Sequence, residues 1–336
     1  MTLLALVAGF RAVAAAPAKT KAPPVARVVI MQDTNATATF TPNPEVVRRM
    51  VDQGVEHLTG KTNLVAAWRS LVSTNDVVGL KVFSAPGGTT GTRPAVAGAV
   101  AESLIAAGLP ATNVIIWDKQ MSELVRAGFG EVASRVGVRL ASSADAGYDE
   151  KTFYDSSILG QLVFGDLEFG RKGEGIGRKS FVSKLVTKEM TKIITITPML
   201  NHNLAGVTGN LLSLALGSVD NTLRFESDPV RLDTAVPEIC ALPILGDRVP
   251  LNIVDGLICQ YEGEQRSLLH YSEELNQLRF STDPVALDVL SIEEMKRLRA
   301  LHSMPPPKVS LELYKNASLV EVGISERKNI KVDTYP

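Results

Sequence analysis

Five continuous apolar runs punctuate the chain: Ala26 to Met31, Val77 to Val82, Asn113 to Trp117, Lys192 to Thr197 and Leu251 to Val254. Unbroken runs of aliphatic residues, rather than strict alternation with polar ones, predict strands covered on both faces. Between them apolar positions recur at helical spacing, most clearly over Pro44 to Leu58, Pro94 to Ala107, Met121 to Ala127, Asn210 to Leu216, Pro229 to Leu242 and Pro284 to Leu301. Strand and helix in alternation predict an α/β fold with a mainly parallel, doubly wound sheet. One stretch breaks the rhythm. Asp145 to Lys179 carries seven glycines and little periodicity, which predicts an insertion or lid over about 145–180 and the most mobile part of the chain. Further on, Met304-Pro305-Pro306-Pro307 stiffens the approach to a last helix and a polar tail.

Two segments echo each other. Arg224 to Asp233 and Arg279 to Asp288 share the order Arg-Phe, Asp-Pro-Val and Leu-Asp. Each predicts a strand end turning into a helix, capped by Asp228 or Asp283, with Pro229 or Pro284 at the first helical position, where a missing N–H costs nothing. Asp233 and Asp288 then fall in the second turn. They read either as parts of two similar corners or as two carboxylates presented to a shared cleft.

Length and charge narrow the partners. With 35 basic and 36 acidic side chains among 336 residues, no global field draws in nucleic acid or an anionic membrane. Only 5% of residues are aromatic, which suits an aliphatic core better than a stacking platform for bases. The expected partner is a small molecule or another protein. At the start, the apolar run Leu3 to Phe10 and the small residues Ala12 to Ala18 predict an export signal over 1–22, ahead of a single domain over 23–336. The first basic residue, Arg11, stands inside or after that run instead of before it. The run is too short for a membrane span, which takes roughly 20 apolar residues, and no later segment reaches that length. Cys240 lies in an apolar helical run and Cys259 in a strand-like one, so two buried thiols are expected; pairing in an oxidising compartment stays open. Two cysteines disfavour an iron–sulfur cluster.

Ligands of open α/β sheets bind beyond the carboxyl ends of parallel strands, so the residues following each run are the candidates. Lys81 precedes a Gly-rich turn containing Gly87 and Gly88, then Thr92 and a helix start, an arrangement suited to an anion but matching neither the Walker pattern nor Gly-x-Gly-x-x-Gly. Asp118 ends the run Val-Ile-Ile-Trp-Asp and could hold a hydroxyl or a metal, or cap a helix. His202, between Asn201 and Asn203, leads through Thr208 and Gly209 into a helix; it could act as a base or ligand, or as a structural loop histidine. Gly173 to Ser180 is a basic, flexible loop that could close over an anion or simply connect. Asp255 ends Leu-Asn-Ile-Val before Gly256. Gly-x-Ser-x-Gly, His-Glu-x-x-His, Cys-x-x-Cys and a Walker lysine do not occur, which weakens the common hydrolase, zinc-protease, dithiol and NTPase readings.

Six ordered blocks carry a resemblance: Val78-Gly-Leu-Lys81, Val114-Ile-Ile-Trp-Asp118, His202 to Gly209, Gly217-Ser-Val-Asp-Asn-Thr222, Leu251-Asn-Ile-Val-Asp-Gly256 and Ser281 to Asp288. Together they resemble the domain-of-unknown-function 362 family over most of the chain after residue 25. Members are often exported, commonly by twin-arginine signals, and some carry appended ferredoxin-type iron–sulfur domains. The resemblance thus implies a periplasmic or otherwise exported, redox-linked setting, and no particular reaction. This chain departs from the family pattern at Phe83, Asn201 and Leu212, losing an amide and two positive side chains from positions where an anion or cluster would sit.

These readings converge on a small polar or anionic ligand held in one cleft. Lys81 would supply charge and His202 proton transfer or ligation; Gly87, Gly88, Thr92, Asp118, Asn203 and Thr208 would bind the ligand, and Asp255 and Asp288 a divalent metal. The alternative is a non-catalytic partner docking to an exported redox enzyme, which predicts an exposed apolar patch in place of a pocket.

Overall fold

The computed structural model describes residues 24–307 and 309–336, so the expected leader over 1–22 lies outside the described residues. Eight main strands follow in chain order: β1 (Ala26–Gln32), β2 (Val78–Val82), β3 (Val114–Asp118), β4 (Arg139–Ser142), β5 (Lys192–His202), β6 (Leu251–Gln260), β7 (Ser272–Ser281) and β8 (Ile330–Tyr335). They form one sheet in the order β8-β1-β7-β6-β5-β2-β3-β4, with Gly206–Val207 folded back on β5 as a ninth strand. Among the eight, β7 alone runs antiparallel to its neighbours β1 and β6; every other pair is parallel. This is the α/β fold with a large, mostly parallel sheet that the strand–helix alternation predicts.

The apolar runs become strands because both of their faces are covered. Every residue of β2, β3 and β6 is buried. Along β3 successive side chains enter opposite cores, Val114 and Ile116 on one face, Ile115 and Trp117 on the other. Helices α1 (Pro44–Thr59) and α2 (Pro94–Ala106) cover the first face. Helices α3 (Asn210–Ser218), α4 (Pro229–Cys240), α5 (Pro284–Leu301) and α6 (Glu312–Leu319) cover the second. Asp228 and Asp283 cap α4 and α5, accepting the N–H of Arg231 and of Ala286, with a proline opening each helix.

Three expectations are corrected. The first echo segment begins in a short helix, Leu223–Glu226, and only the second follows a strand, β7. The polar tail is strand β8, paired with β1. Asp255 lies in the middle of β6, which continues to Gln260. The aperiodic stretch folds as a hairpin, Tyr148–Asp155 against Lys179–Ser183, joined by an irregular loop. That loop is tied down: the Arg224 guanidinium donates to the carbonyls of Tyr154, Ile158 and Arg178 and to the hydroxyls of Ser156 and Ser180.

Candidate functional site

From β2 the chain winds outward through β3 and β4, then returns to the other side of β2 for β5 and β6, so the winding direction reverses between β2 and β5. A doubly wound sheet opens its binding crevice at the carboxyl end of such a point. Here that crevice is packed with the chain's own polar groups. Lys81 is fully buried, and its Nζ donates to the Val82 carbonyl at 2.7 Å, to Asp118 Oδ1 at 2.8 Å and to Ser213 Oγ at 3.0 Å, using all three ammonium protons. The second oxygen of Asp118 accepts the Ser84 N–H at 2.8 Å and its hydroxyl at 2.7 Å. Gly217 sits against the lysine so closely that a Cβ there would lie 2.1 Å from Lys81 Cε. Lys81 and Asp118 therefore pin α3 across the sheet and leave no donor for a ligand.

The Gly-rich turn closes on itself. Gly87 donates its N–H to the Ser84 carbonyl, and its own carbonyl accepts the Gly91 N–H. Gly87 has φ +83, and a Cβ on Gly88 would meet the Ala127 carbonyl at 2.7 Å, so both positions require glycine. Thr92 Oγ1 accepts the Phe83 N–H and donates to the Ile196 carbonyl at 2.6 Å, stapling the loop to β5. The next residue, Arg93, places its guanidinium 2.8 Å from Asp255 Oδ1, and its backbone N–H donates to the other oxygen at 2.9 Å.

Asp288 completes the layer. It accepts the N–H of Asn210 at 2.8 Å and of Leu211 at 3.1 Å, sitting at the N-terminus of α3 where an external anion would otherwise bind. Burial pushes its carboxyl up to about 7. The two aspartates read as metal ligands thus serve elsewhere, one neutralising Arg93 and one capping α3. Among the described residues no group of three or more His, Cys, Asp or Glu is placed to hold a metal ion. Asp233 approaches Ser310 and Leu313 at the start of α6, so the echoed carboxylates meet different helices and share no cleft.

His202 and Asn203 are placed differently. β5 runs on through His202, and beyond it a cavity of about 330 Å³ opens between the ends of β5 and β6, the C-terminal half of α5 and the triple proline. His202, Asn203, Tyr261, Glu262 and Arg299 are among its walls. His202 Nδ1 accepts the N–H of Leu204 at 3.3 Å and of Ala205 at 3.1 Å, which assigns the ring proton to Nε2. Burial lowers its pKa, so the neutral ring is favoured. Arg299, only 8% exposed, donates from Nε to the Pro305 carbonyl at 2.9 Å and from Nη1 to the Tyr261 carbonyl and the Glu262 carboxylate. Its Nη2 has no hydrogen-bond partner among the described residues. Thr208 lies in neither arrangement; its hydroxyl is buried without a hydrogen-bond partner among the described residues.

Arg299 and Lys119 escape the sequence reading. Arg299 belongs to a helix rich in charge and looks like part of a solvated face. Lys119 directly follows Asp118, at a strand end, which was the available signal. Its Nζ donates to Thr222 Oγ1 at 2.7 Å, and burial lowers its pKa against the field of Glu226, Asp166, Asp220 and Asp118.

Comparison with known proteins adds the following. A family described as Domain of unknown function (DUF362) matches residues 78–293, more than half of the chain. No curated protein matches the sequence. Among solved structures, a crystal structure of a protein from Thermotoga maritima, a structural genomics target, is similar at 11% identity with a TM-score of 0.41. The alignment takes in 78% of this chain and spans 60% of that protein's length.

Proposed function

The chain belongs to the DUF362 family, whose description assigns no reaction, and from its own geometry we propose that it binds a small polar or anionic molecule in the cavity beside His202. The observation that carries this is that Arg299, whose Nη2 has no hydrogen-bond partner among the described residues, and His202, whose proton is at Nε2, both line one cavity. The volume falls at the small end of the range for ligand pockets, about 300–1,000 Å³. Binding, without turnover, suits this site. To act as a base His202 would have to take its proton at Nδ1 and give up two backbone hydrogen bonds. Lys81, expected to supply ligand charge, is sealed by Asp118 and Ser213.

A thermal-shift screen of small anions and polar neutrals, followed by calorimetry, tests the reading. A ligand should raise Tm by several degrees in the parent protein and by much less in His202→Gln and Arg299→Gln variants whose near-ultraviolet circular dichroism is unchanged. A ligand that stabilises all three equally would place binding elsewhere.

One observation favours docking of a protein partner as a second role. Phe164, 90% exposed, packs edge-to-face on the exposed Phe169 at 5.9 Å, on the loop that Arg224 and Asn221 hold in place. A photo-crosslinker at position 164 should capture a defined partner in the native compartment, and Phe169→Ser should abolish that capture if the patch is the contact.

A further inference from the structure

The walls of the His202 cavity are specific enough to name a ligand class. Resting on the binding reading above, we infer that the cavity takes a short monocarboxylate, its carboxylate bridging Arg299 Nη2 and His202 Nε2–H and its apolar body lying against Met295, the prolines and Val309.

Three features select this class. First, Arg299 Nη2 and His202 Nε2–H are both donors without a hydrogen-bond partner among the described residues. The His202 lone pair at Nδ1 is spent on the N–H groups of Leu204 and Ala205, and three of the Arg299 contacts are made by Nε and Nη1. A guanidinium edge beside an imidazole N–H suits an anionic oxygen pair, and the planar guanidinium edge suits a carboxylate.

Second, the charge on offer is small. The Glu262 carboxylate already pairs with Arg299, and the neutral imidazole adds none, so the described residues of the site supply less than one free positive charge. A second negative charge on the ligand would lie near Glu262 without a cation to answer it. Dicarboxylates and phosphate dianions are therefore disfavoured. The guanidinium is also fixed before any ligand arrives, held by the carbonyls of Pro305 and Tyr261, so little ordering opposes binding.

Third, one stretch of the wall is apolar. Met295, Pro305, Pro306, Pro307 and Val309 offer no strong hydrogen-bonding side chain, and the cavity of about 330 Å³ limits length. The ligand should be a carboxylate on a short hydrocarbon, not a polyol or a nucleotide.

Calorimetry with four probes tests this: hexanoate, hexanamide, adipate and inorganic phosphate, each also followed by the imidazole NMR signal of His202, assigned by its loss in His202→Gln. Hexanoate should bind and shift that signal, with hexanamide and adipate about tenfold weaker or more, the loss expected from one charge-assisted hydrogen bond or one unanswered charge. Glu262→Gln should narrow the gap between adipate and hexanoate, a change that a purely structural role for Glu262 would not produce. Arg299→Lys keeps the charge, removes the planar edge and should weaken hexanoate about tenfold. If phosphate or hexanamide binds more tightly than hexanoate and shifts His202, the carboxylate assignment fails while the cavity stands as a binding site. If no probe moves the His202 signal, and the wider screen of anions and polar neutrals also leaves it unmoved, both readings fall.

Discussion

Replacing Gly217 by alanine isolates the contact on which the buried polar layer turns. Gly217 lies near the end of α3, so helix propensity alone predicts a gain of up to about 1 kcal/mol. The packing predicts the opposite sign. The new methyl would stand 2.1 Å from Lys81 Cε and 2.7 Å from Nζ. The lysine cannot swing aside, because Val82, Asp118 and Ser213 hold its ammonium in a site without solvent. Either α3 shifts, an overpacking cost of about 1–3 kcal/mol, or the ammonium leaves Asp118, and breaking a buried ion pair costs about 3–5 kcal/mol. We expect Gly217→Ala to destabilise by about 3 kcal/mol, read from the urea midpoint by the fluorescence of the buried tryptophans, one of which, Trp117, lies 5.6 Å from the ammonium. In a Lys81→Ala background the same substitution should cost far less, giving a coupling of about 2 kcal/mol. A neutral or stabilising Gly217→Ala, or strict additivity with Lys81→Ala, would refute the reasoning.

Three further outcomes follow from other parts of the structure. Burial raises Asp288 to about 7 and Asp220 to about 6 from an ordinary 3.8, so the folded state binds protons that the unfolded chain has released. Their contribution is fully present below about pH 4 and is lost as pH rises through 6 and 7; Asp288→Asn should flatten this decline, seen as a smaller drop in urea midpoint between pH 5 and 8. Arg224→Ala removes the donor that gathers both arms of the hairpin loop, and trypsin should then cut at Arg171 or Lys172 at least about tenfold faster, with overall stability lowered by about 2–4 kcal/mol. Cys240 and Cys259 are free and completely buried, which raises both thiols far above their ordinary range; a disulfide-exchange reagent should release no chromophore from the native protein and two equivalents after denaturation.

The fold was legible where burial is two-sided. β2, β3 and β6 sit between helices, and their continuous apolar runs say so directly. At the sheet's margins the signal fades. β8 alternates Ile330 and Val332 with Lys331 and Asp333, and the first half of β7 is only partly buried, so hydropathy reads them as polar connections. The site was legible in position but not in occupancy. Lys81, Asp118 and Asp288 do cluster along the carboxyl side of the sheet, joined through Ser213 and Asn210 on α3. What decides their role is a partner remote in sequence: Ser213 lies 132 residues from Lys81, and Arg93 lies 162 residues from Asp255. No local pattern announces that a carboxylate is already taken. The same holds for Arg299, whose isolation from solvent comes from Tyr261, Glu262 and Pro305 closing around it.

The placement of β1 has a consequence for synthesis on the ribosome. This strand is clasped between β7 and β8, and its Arg27 pairs with Asp333, 306 residues later. At roughly 5–20 residues per second, about 15–60 s pass between the emergence of one partner and the other. Until β7 is made the apolar stretch Val28 to Met31 has neither neighbour, while β2 to β6 can already assemble. The nascent chain therefore carries an unpaired, aggregation-prone edge until β8 is made, and a factor that shields residues 26–32 would act on folding yield without touching the stability of the finished molecule.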